Sequence, residues 1–352
     1  MISRIALNRA TLARQLLLRR HSLTALEAVE HLVGLQAQAP FPPYFGLWCR
    51  LSGFRPQELA ELLTGRQVVR IVLMRGTVHL VSAADCLWLR PLTQPMLTRS
   101  FQHAFGARIA GADQDAVVKA GLELLREGPM TAAALGTALA GAFPGTAAAD
   151  LSQILRSLAA LVQVPPRAVW GKSGQAAYAT AEAWLGREPH AEPSPEELVL
   201  RYLRAFGPAT VADVQAWSGL TGLREVVERL RPRLVMLSDT MFDLPDAPRP
   251  DQDVPAPVRL LAPFDNLLLS HADRTRVIAD EHRRRVITVN GQVHGTVLID
   301  GFVQGIWKRD KTTVTVEPFA PFTDDQAEQV HAEAAALLEF AEPGKAHRIE
   351  GL

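Results

Sequence analysis

The sequence predicts an α+β protein, mostly helical, on two observations. A run of three helical segments followed by a β-hairpin occurs three times along the chain, and the last quarter changes to short β-rich runs closed by one more helix. At 352 residues the chain has room for two or three domains and a sizeable core. Its 48 % hydrophobic and 21 % charged residues are ordinary globular usage, which excludes a disordered or collagen-like chain.

In the first copy, apolar residues spaced by three and four predict helices over 8–19 and 24–35, with Thr24 three residues before Glu27 as a capping box. A proline-broken segment, QAQAPFPPYFGLWCRL, leads to a third helix over 56–63 and then to RQVVRIVLMRGTVHLVS. The β-branched halves of that last run flank Arg75-Gly76 as in a hairpin. Helix, helix, helix, hairpin is the order of a winged helix. The second copy places helices at 114–126, 131–140 and 148–162 before VPPRAVWGKSGQAAYAT, a hairpin with a Gly-Lys-Ser-Gly tip. The third places them at 195–206, 209–217 and 222–230 before RLVMLSDTMFDL, two short strands around Ser238-Asp239.

Matching punctuation supports the repetition. Leu125-Arg126 precedes Gly128-Pro129-Met130-Thr131, and Leu203-Arg204 precedes Gly207-Pro208-Ala209-Thr210, so each threonine falls where the N-cap of an equivalent second helix belongs. Thr24, after Arg19-Arg20, fits the same position, although an Ala-rich chain also produces such matches by chance. The Pro/Glu run GREPHAEPSPEE and APRPDQDVPAPV at 247–258 read as linkers. Beyond them RRRVITV, QVHGTVLI, FVQGIWK and TTVTVEPF are β-rich runs joined at Asn290-Gly291, Asp300-Gly301 and Arg309-Asp310, the Gly pairs being two-residue hairpin signals. They predict an antiparallel meander forming a small β-barrel, with the helix DDQAEQVHAEAAALLEFAE covering its open side. The expected modules are winged helices at 1–85, 86–186 and 194–246 and a barrel with its C-terminal helix at 258–352.

Several function classes drop out. The low-polarity stretch from Thr131 to Ala149 is Ala/Gly/Thr broken by Pro144 and lacks the large apolar run of a membrane span. The N-terminal MISRIALNRATLARQ has no apolar stretch of signal-peptide length, so a cytoplasmic protein is expected. Two cysteines, Cys49 and Cys86, make no disulfide framework, and without CxxC or HExxH no zinc site is expected. No Gly-rich phosphate loop or GxSxG elbow occurs, and Gly171-Lys172-Ser173 lacks the upstream glycine of a P-loop. Neither a metal nor a cofactor is therefore expected. The 37 cations equal the 37 anions, so net charge does not announce a nucleic-acid partner. All but five of those cations are arginine, the planar donor suited to phosphates and base edges, although genomic base composition also produces such a bias.

The segment Gly34-Leu35-Gln36-Ala37-Gln38-Ala39-Pro40 stands apart. Pro40 biases Ala39 out of the helical region, and in an extended loop Gln36 and Gln38 point the same way. Two amides so placed can hold one water. The same pair can equally cap helix 24–35 and pin the loop backbone.

LQAQAP, with MRGTVHLVSAADC at 74–86 and LLAPFDNLLLSHADR at 260–274, resembles the AlkZ-like family of bacterial DNA glycosylases, a likeness that runs over almost the whole chain. The resemblance implies three tandem winged helices and a β-barrel forming a concave DNA-binding surface. It also implies that Gln36 and Gln38 are catalytic, since that family carries Gln-x-Gln, or Gln-x-Asp in its YcaQ branch. The implied substrates are N7-alkylated purines, including bulky guanine adducts and interstrand crosslinks made by genotoxic natural products, and producers of such compounds often use the enzyme for self-resistance. Alkylation at N7 makes the purine a cationic leaving group, so neutral amides that orient a water suffice where other damaged bases need an acid. No lysine adjoins the motif, so no Schiff-base lyase step is expected.

The expected partner is double-stranded DNA containing alkylated purines, bound by a monomer. Candidate phosphate contacts are Arg70 and Arg75 on the first wing, Lys172 on the second, Arg274 and Arg276 after His271, and Arg283, Arg284 and Arg285 entering the meander. The hairpin around Asn290-Gly291, with Gln292 and His294, is placed to probe a groove. Two rivals are a non-catalytic winged-helix transcription factor, which would prefer one sequence and leave the base in place, and a drug-sequestering resistance protein, which would bind the genotoxin without DNA. Regulators usually dimerise around a single winged helix, whereas three in one chain suit a monomer on a duplex.

Overall fold

A computed structural model of the chain, describing residues 2–352, is α+β, with more residues in helices than in strands and three sheets built mostly of antiparallel pairs. Its internal contacts divide it into two compact units. One comprises Met1–Arg55, Glu196–Trp217 and Gly222–Leu352, and the other Pro56–Pro195 with Ser218–Thr221.

In the first unit the threonine punctuation is borne out atom by atom. Thr24 accepts from Glu27 N–H at 3.2 Å while its own N–H donates to the Glu27 carboxylate at 2.8 Å, capping the helix Ala25–His31. Thr210 and Asp213 repeat that reciprocal pair at 3.2 and 2.8 Å ahead of Val211–Ser218. In the second unit Thr131 accepts from Ala134 N–H at 3.2 Å at the start of Ala132–Ala140. Each cap satisfies a donor the helix cannot, worth about 1 kcal/mol.

The first unit begins with Arg4–Arg14, a helix that starts four residues and ends five residues earlier than its apolar spacing predicts. Arg14 lies fully buried and grips both carboxylate oxygens of Asp243, at 2.6 and 2.8 Å. That joins the first helix to the strand Met241–Asp243, the central strand of a small sheet with Val235–Met236 and Ala209–Thr210. The turn at Ser238-Asp239 falls where expected, with the Ser238 hydroxyl accepting from Met241 N–H at 3.1 Å. Pro42–Trp48, inside the segment that looks broken by prolines, is a helix. Its prolines occupy the first turn, where no N–H is required.

The C-terminal sheet runs in the order Arg259–Leu261, Gly295–Ile299, Phe302–Asp310, Thr313–Pro318, Arg348–Glu350, antiparallel except for the last, parallel pair. The expected barrel does not close. Among the described residues no ladder joins the first and last strands, and the helix Asp324–Ala341 instead buries Val330, Ala334, Leu337, Leu338 and Ala341 against the sheet. An apolar face needs only one cover, and this helix supplies it. The Asp300-Gly301 turn takes positive φ at both positions, 46° and 80°, as a type I′ hairpin requires. Gly301 also admits the first helix: a Cβ there would lie 2.4 Å from Asn8 Oδ1.

RRRVITV is a second correction. Asp280–Val286 is a helix, with Asp280 and Glu281 in its first turn and Arg283, Arg284 and Arg285 in its last, the charge order that suits the helix dipole. Only the bridge Ile287–Val293 remains of the strand pairing around Asn290-Gly291.

In the second unit the hairpins expected as the first and second wings share one sheet. Val68–Val72 pairs with Val78–Ser82 on one side and with Leu161–Val164 on the other, and Leu161–Val164 pairs in turn with Ala177–Thr180. Pairing two wings removes an exposed edge from each. The helix Ala83–Phe105 follows the first hairpin and carries Pro91 and Pro95 in its interior. Proline there is unfavourable, but Leu87, Leu89, Met96, Leu97 and Phe101 bury enough apolar surface to hold the helix. No helix in the described residues is long and apolar enough to cross a membrane.

Burial and the Arg75 charge depress His79 from 6.5 to about 3, and burial with Arg276 holds His271 well below its ordinary value. Both stay neutral in the folded protein, whereas in the unfolded chain each gains a proton near 6.5. Below that pH the unfolded state binds more protons, so stability falls with falling pH, for His79 down to about 3. Urea midpoints measured from pH 6.5 to 5 should report a loss approaching about 1.4 kcal/mol per pH unit per histidine. A flat profile over that window would mean that the folded protein accepts these protons.

Candidate active site

At the end of the helix Ala25–His31, Val33 N–H donates to Glu30 O at 3.1 Å and Gly34 N–H to Val29 O at 2.9 Å, with Val33 and Gly34 both at positive φ. The chain then extends through Leu35–Gln36, and burial alternates in character: Leu35 and Ala37 enter the core, Gln36 is 7 % exposed and lines a pocket, and Gln38 is exposed.

The opposite wall of that pocket comes from Ala262–Asn266, with Pro42, Pro43 and Gly46 completing it. Two interactions tie the walls together. Asn266 donates its amide Nδ2–H to the Gly34 carbonyl at 2.8 Å, and Asp265 accepts from both terminal nitrogens of Arg50 at 2.8 Å each. Arg50 also donates to Gln15 O and Gly46 O, both at 2.9 Å, so its fork is spent on the loop's own supports. Asp265 Oδ1 accepts in addition from Leu267 N–H at 3.0 Å, capping a short 3-10 turn. With both oxygens engaged, the carboxylate is no free base. The polar groups left to the pocket are carboxamides.

The space in the pocket that a water-sized sphere can enter is ≈ 10 Å³, about room for one water. Ligand pockets for drug-sized molecules run about 300–1,000 Å³, so this one suits water and a sugar edge better than a whole adducted purine.

Four of the residues expected to touch DNA are buried or half-buried within their own unit. Arg70 is 1 % exposed because its strand lies between two others. His271 is buried, donating Nε2–H to Phe206 O at 3.0 Å while Nδ1 meets the Ser270 hydroxyl at 3.2 Å. Arg276 is buried, donating to Pro208 O at 2.8 Å and lying 3.8 Å from Asp213. Arg274 is half-buried and reaches back to His271 O at 3.3 Å. Each of the four is consumed by packing within its own unit.

The remaining candidates reach solvent. Arg75 is half-buried at the tip of the first hairpin, and Lys172 is exposed. Arg283, Arg284 and Arg285 are exposed at one helix end, Arg285 pairing with Glu317 at 2.8 Å and lying over the Phe319 ring. Gln292 and His294 are exposed on the turn beyond, whose Val289 stands fully in solvent. Arg75 and Lys172 belong to the second unit, the other cations and the hairpin to the first. Burial pushes the Cys49 thiol up to about 11 and the Cys86 thiol to about 12, leaving neither as a nucleophile. Among the described residues no group of three His, Cys, Asp or Glu side chains could hold a metal.

Arg50, Asp265 and Asn266 are site residues that sequence reasoning passed over. Their signal was present, since Asp265-Asn266 sits inside LLAPFDNLLLSHADR, but the residues there that looked chemical were the histidine and arginines. Replacing Asp265 by alanine strands the buried Arg50 charge and is expected to cost about 3–5 kcal/mol in urea denaturation. A loss below about 1 kcal/mol, the scale of an exposed pair, would contradict the buried pairing.

Comparison with known proteins bears on the family and the fold. The family model described as DNA glycosylase AlkZ-like matches residues 29–340. An interstrand DNA cross-link repair glycosylase from Streptomyces sahachiroi is 24 % identical over 349 residues, covering 92 % of each chain. The solved structure of Streptomyces sahachiroi DNA glycosylase AlkZ superposes with a TM-score of 0.80 at 21 % identity, covering 99 % of each chain, which shows a shared fold. With a family match spanning most of its length, from the Gln-x-Gln loop to the C-terminal helix, the chain belongs to the AlkZ-like DNA glycosylase family.

Proposed function

We propose that the protein is a monofunctional DNA glycosylase that hydrolyses the N-glycosidic bond of N7-alkylated guanines in duplex DNA. The observation that carries this reading is the Gln36-Ala37-Gln38 loop: one glutamine lines a small pocket whose only carboxylate is neutralised by Arg50, and the other is exposed beside it in sequence. Such a site has no strong acid or base to offer, so it suits a leaving group that needs none.

An N7-alkylguanine already carries a positive charge. When its C1′–N9 bond breaks, the electron pair goes to the base, which departs neutral, and the sugar is left as an oxocarbenium ion. Water adds to C1′ and loses one proton to solvent, giving the abasic sugar. Gln36 and Gln38 hold that water and present their carbonyl dipoles to the developing sugar cation. Neutral lesions such as uracil, whose departure needs more help, are left alone.

The small pocket supports attack from outside the stack, without insertion of a whole bulky base. That geometry also suits interstrand crosslinks, the lesion in the name of the Streptomyces relative. The biological setting in this reading is base excision repair or self-resistance to a genotoxic natural product, in the cytoplasm, by a monomer with three winged-helix modules. Phosphate contacts come from the half-buried Arg75 and the exposed Lys172, Arg283 and Arg284, and the hairpin carrying Gln292 and His294 enters a groove.

The test uses a duplex with a single 7-methylguanine and no added metal, with alkali-labile abasic sites as the readout. Wild type should form abasic sites, and the Gln36→Ala/Gln38→Ala double variant should be slower by about 100-fold or more. A uracil duplex should stay intact. Sequence-selective binding without base release, on this substrate and on bulkier N7 adducts, would favour a regulator instead.

A further inference from the structure

A third carboxamide faces the same pocket as Gln36. Asn266 is 2 % exposed, and its Nδ2 is identified as the donor because its neighbour, at 2.8 Å, is the Gly34 carbonyl, which can only accept. The other end, Oδ1, is buried and meets no hydrogen-bond partner among the described residues. Buried oxygens in native proteins are paired with protein or with ordered water. In a pocket lined by Gln36 and too small for a large ligand, the partner chemistry that fits is a water O–H.

A water attacking an oxocarbenium carbon must turn a lone pair toward C1′. Its two O–H bonds then point away and need two acceptors. Asp265 is unavailable, because Arg50 and Leu267 N–H occupy its oxygens. A glutamine carbonyl is one acceptor, and Asn266 Oδ1 is placed to be the other. From this we infer that Asn266 is a further catalytic residue: its Oδ1 accepts a hydrogen bond from the nucleophilic water, while its Nδ2–H, given to Gly34, fixes the start of the Gln36–Gln38 loop. The inference rests on the glycosylase reading of the glutamine pair. It adds an acceptor on a segment 230 residues away in sequence, held by the same bond that positions the glutamines.

Two measurements test it. Single-turnover cleavage and affinity for a 7-methylguanine duplex are compared for wild type and Asn266→Leu. Asn266→Leu should slow cleavage by about 30-fold or more while affinity stays within about twofold. Wild-type cleavage in the leucine variant, or a loss explained by weaker binding, overturns the inference. An inactive wild type on this and bulkier N7 adducts would overturn the glycosylase reading beneath it. Independently of any variant's folding, a crystal structure of the unliganded protein that resolves ordered water should show one within about 3.2 Å of Asn266 Oδ1. A dry Oδ1 in that structure overturns the proposal.

Discussion

The Arg50–Asp265 pair, reinforced by Asn266 on Gly34, is the constraint on which the site depends. Arg50 ends the segment that carries the glutamine loop, and Asp265 lies more than 200 residues later. Their bidentate pairing leaves neither charge exposed, and their further hydrogen bonds go to backbone and to the Gln15 and Cys49 side chains. Burying two charges is costly, and an apolar replacement would often be as stable. What the ion pair supplies here is position. Only one register of the 260–274 segment places Asp265 on Arg50 and Asn266 on Gly34 together.

The same segment continues into a second set of ties. Ser270 O accepts from the Tyr202 hydroxyl at 2.6 Å, His271 donates to Phe206 O, and Ala272 N–H donates to Asp213 at 2.9 Å. Asp213 is the residue that closes the Thr210 cap, so one carboxylate both starts a helix and receives the segment. The first unit is thus assembled from three stretches distant in sequence, with 260–276 as their common link. Its chemical consequence is a pocket from which formal charge has been removed. For the cationic leaving group proposed here that would be an advantage, because a free carboxylate attracts the intact cationic lesion as well as the developing sugar cation, and uniform binding does not accelerate chemistry.

Local rules made much of this legible. Thr24, Thr131 and Thr210 announced three helix starts because capping is decided within four residues, and Asp300-Gly301 announced a hairpin because both positions need positive φ. The Gln36-Ala37-Gln38 loop was legible as an oddity, and its meaning came from resemblance, since nothing local separates a catalytic amide from a capping one. What stayed hidden was decided at long range. Arg70 looks like a wing cation, yet it sits on a central strand because two hairpins pair across their edges. His271 and Arg276 look chemical and are packing residues, whereas Asp265 and Asn266 look like turn residues and hold the site. The closed barrel failed because composition reports strands but not whether the first meets the last. The helix Asp280–Val286 was missed because reading began at its arginines, beyond the acidic turn that starts it.

The central claim is that the Gln36–Gln38 loop, braced by Asn266, addresses the anomeric carbon of a damaged nucleotide. A crystal structure of the protein on a duplex containing a tetrahydrofuran abasic analogue tests this most directly. The account predicts the C1′ position of the analogue facing this loop, with a water about 3–3.5 Å from it that bonds a glutamine carboxamide. An abasic sugar bound elsewhere, with the glutamine pocket turned away from the DNA, would contradict it.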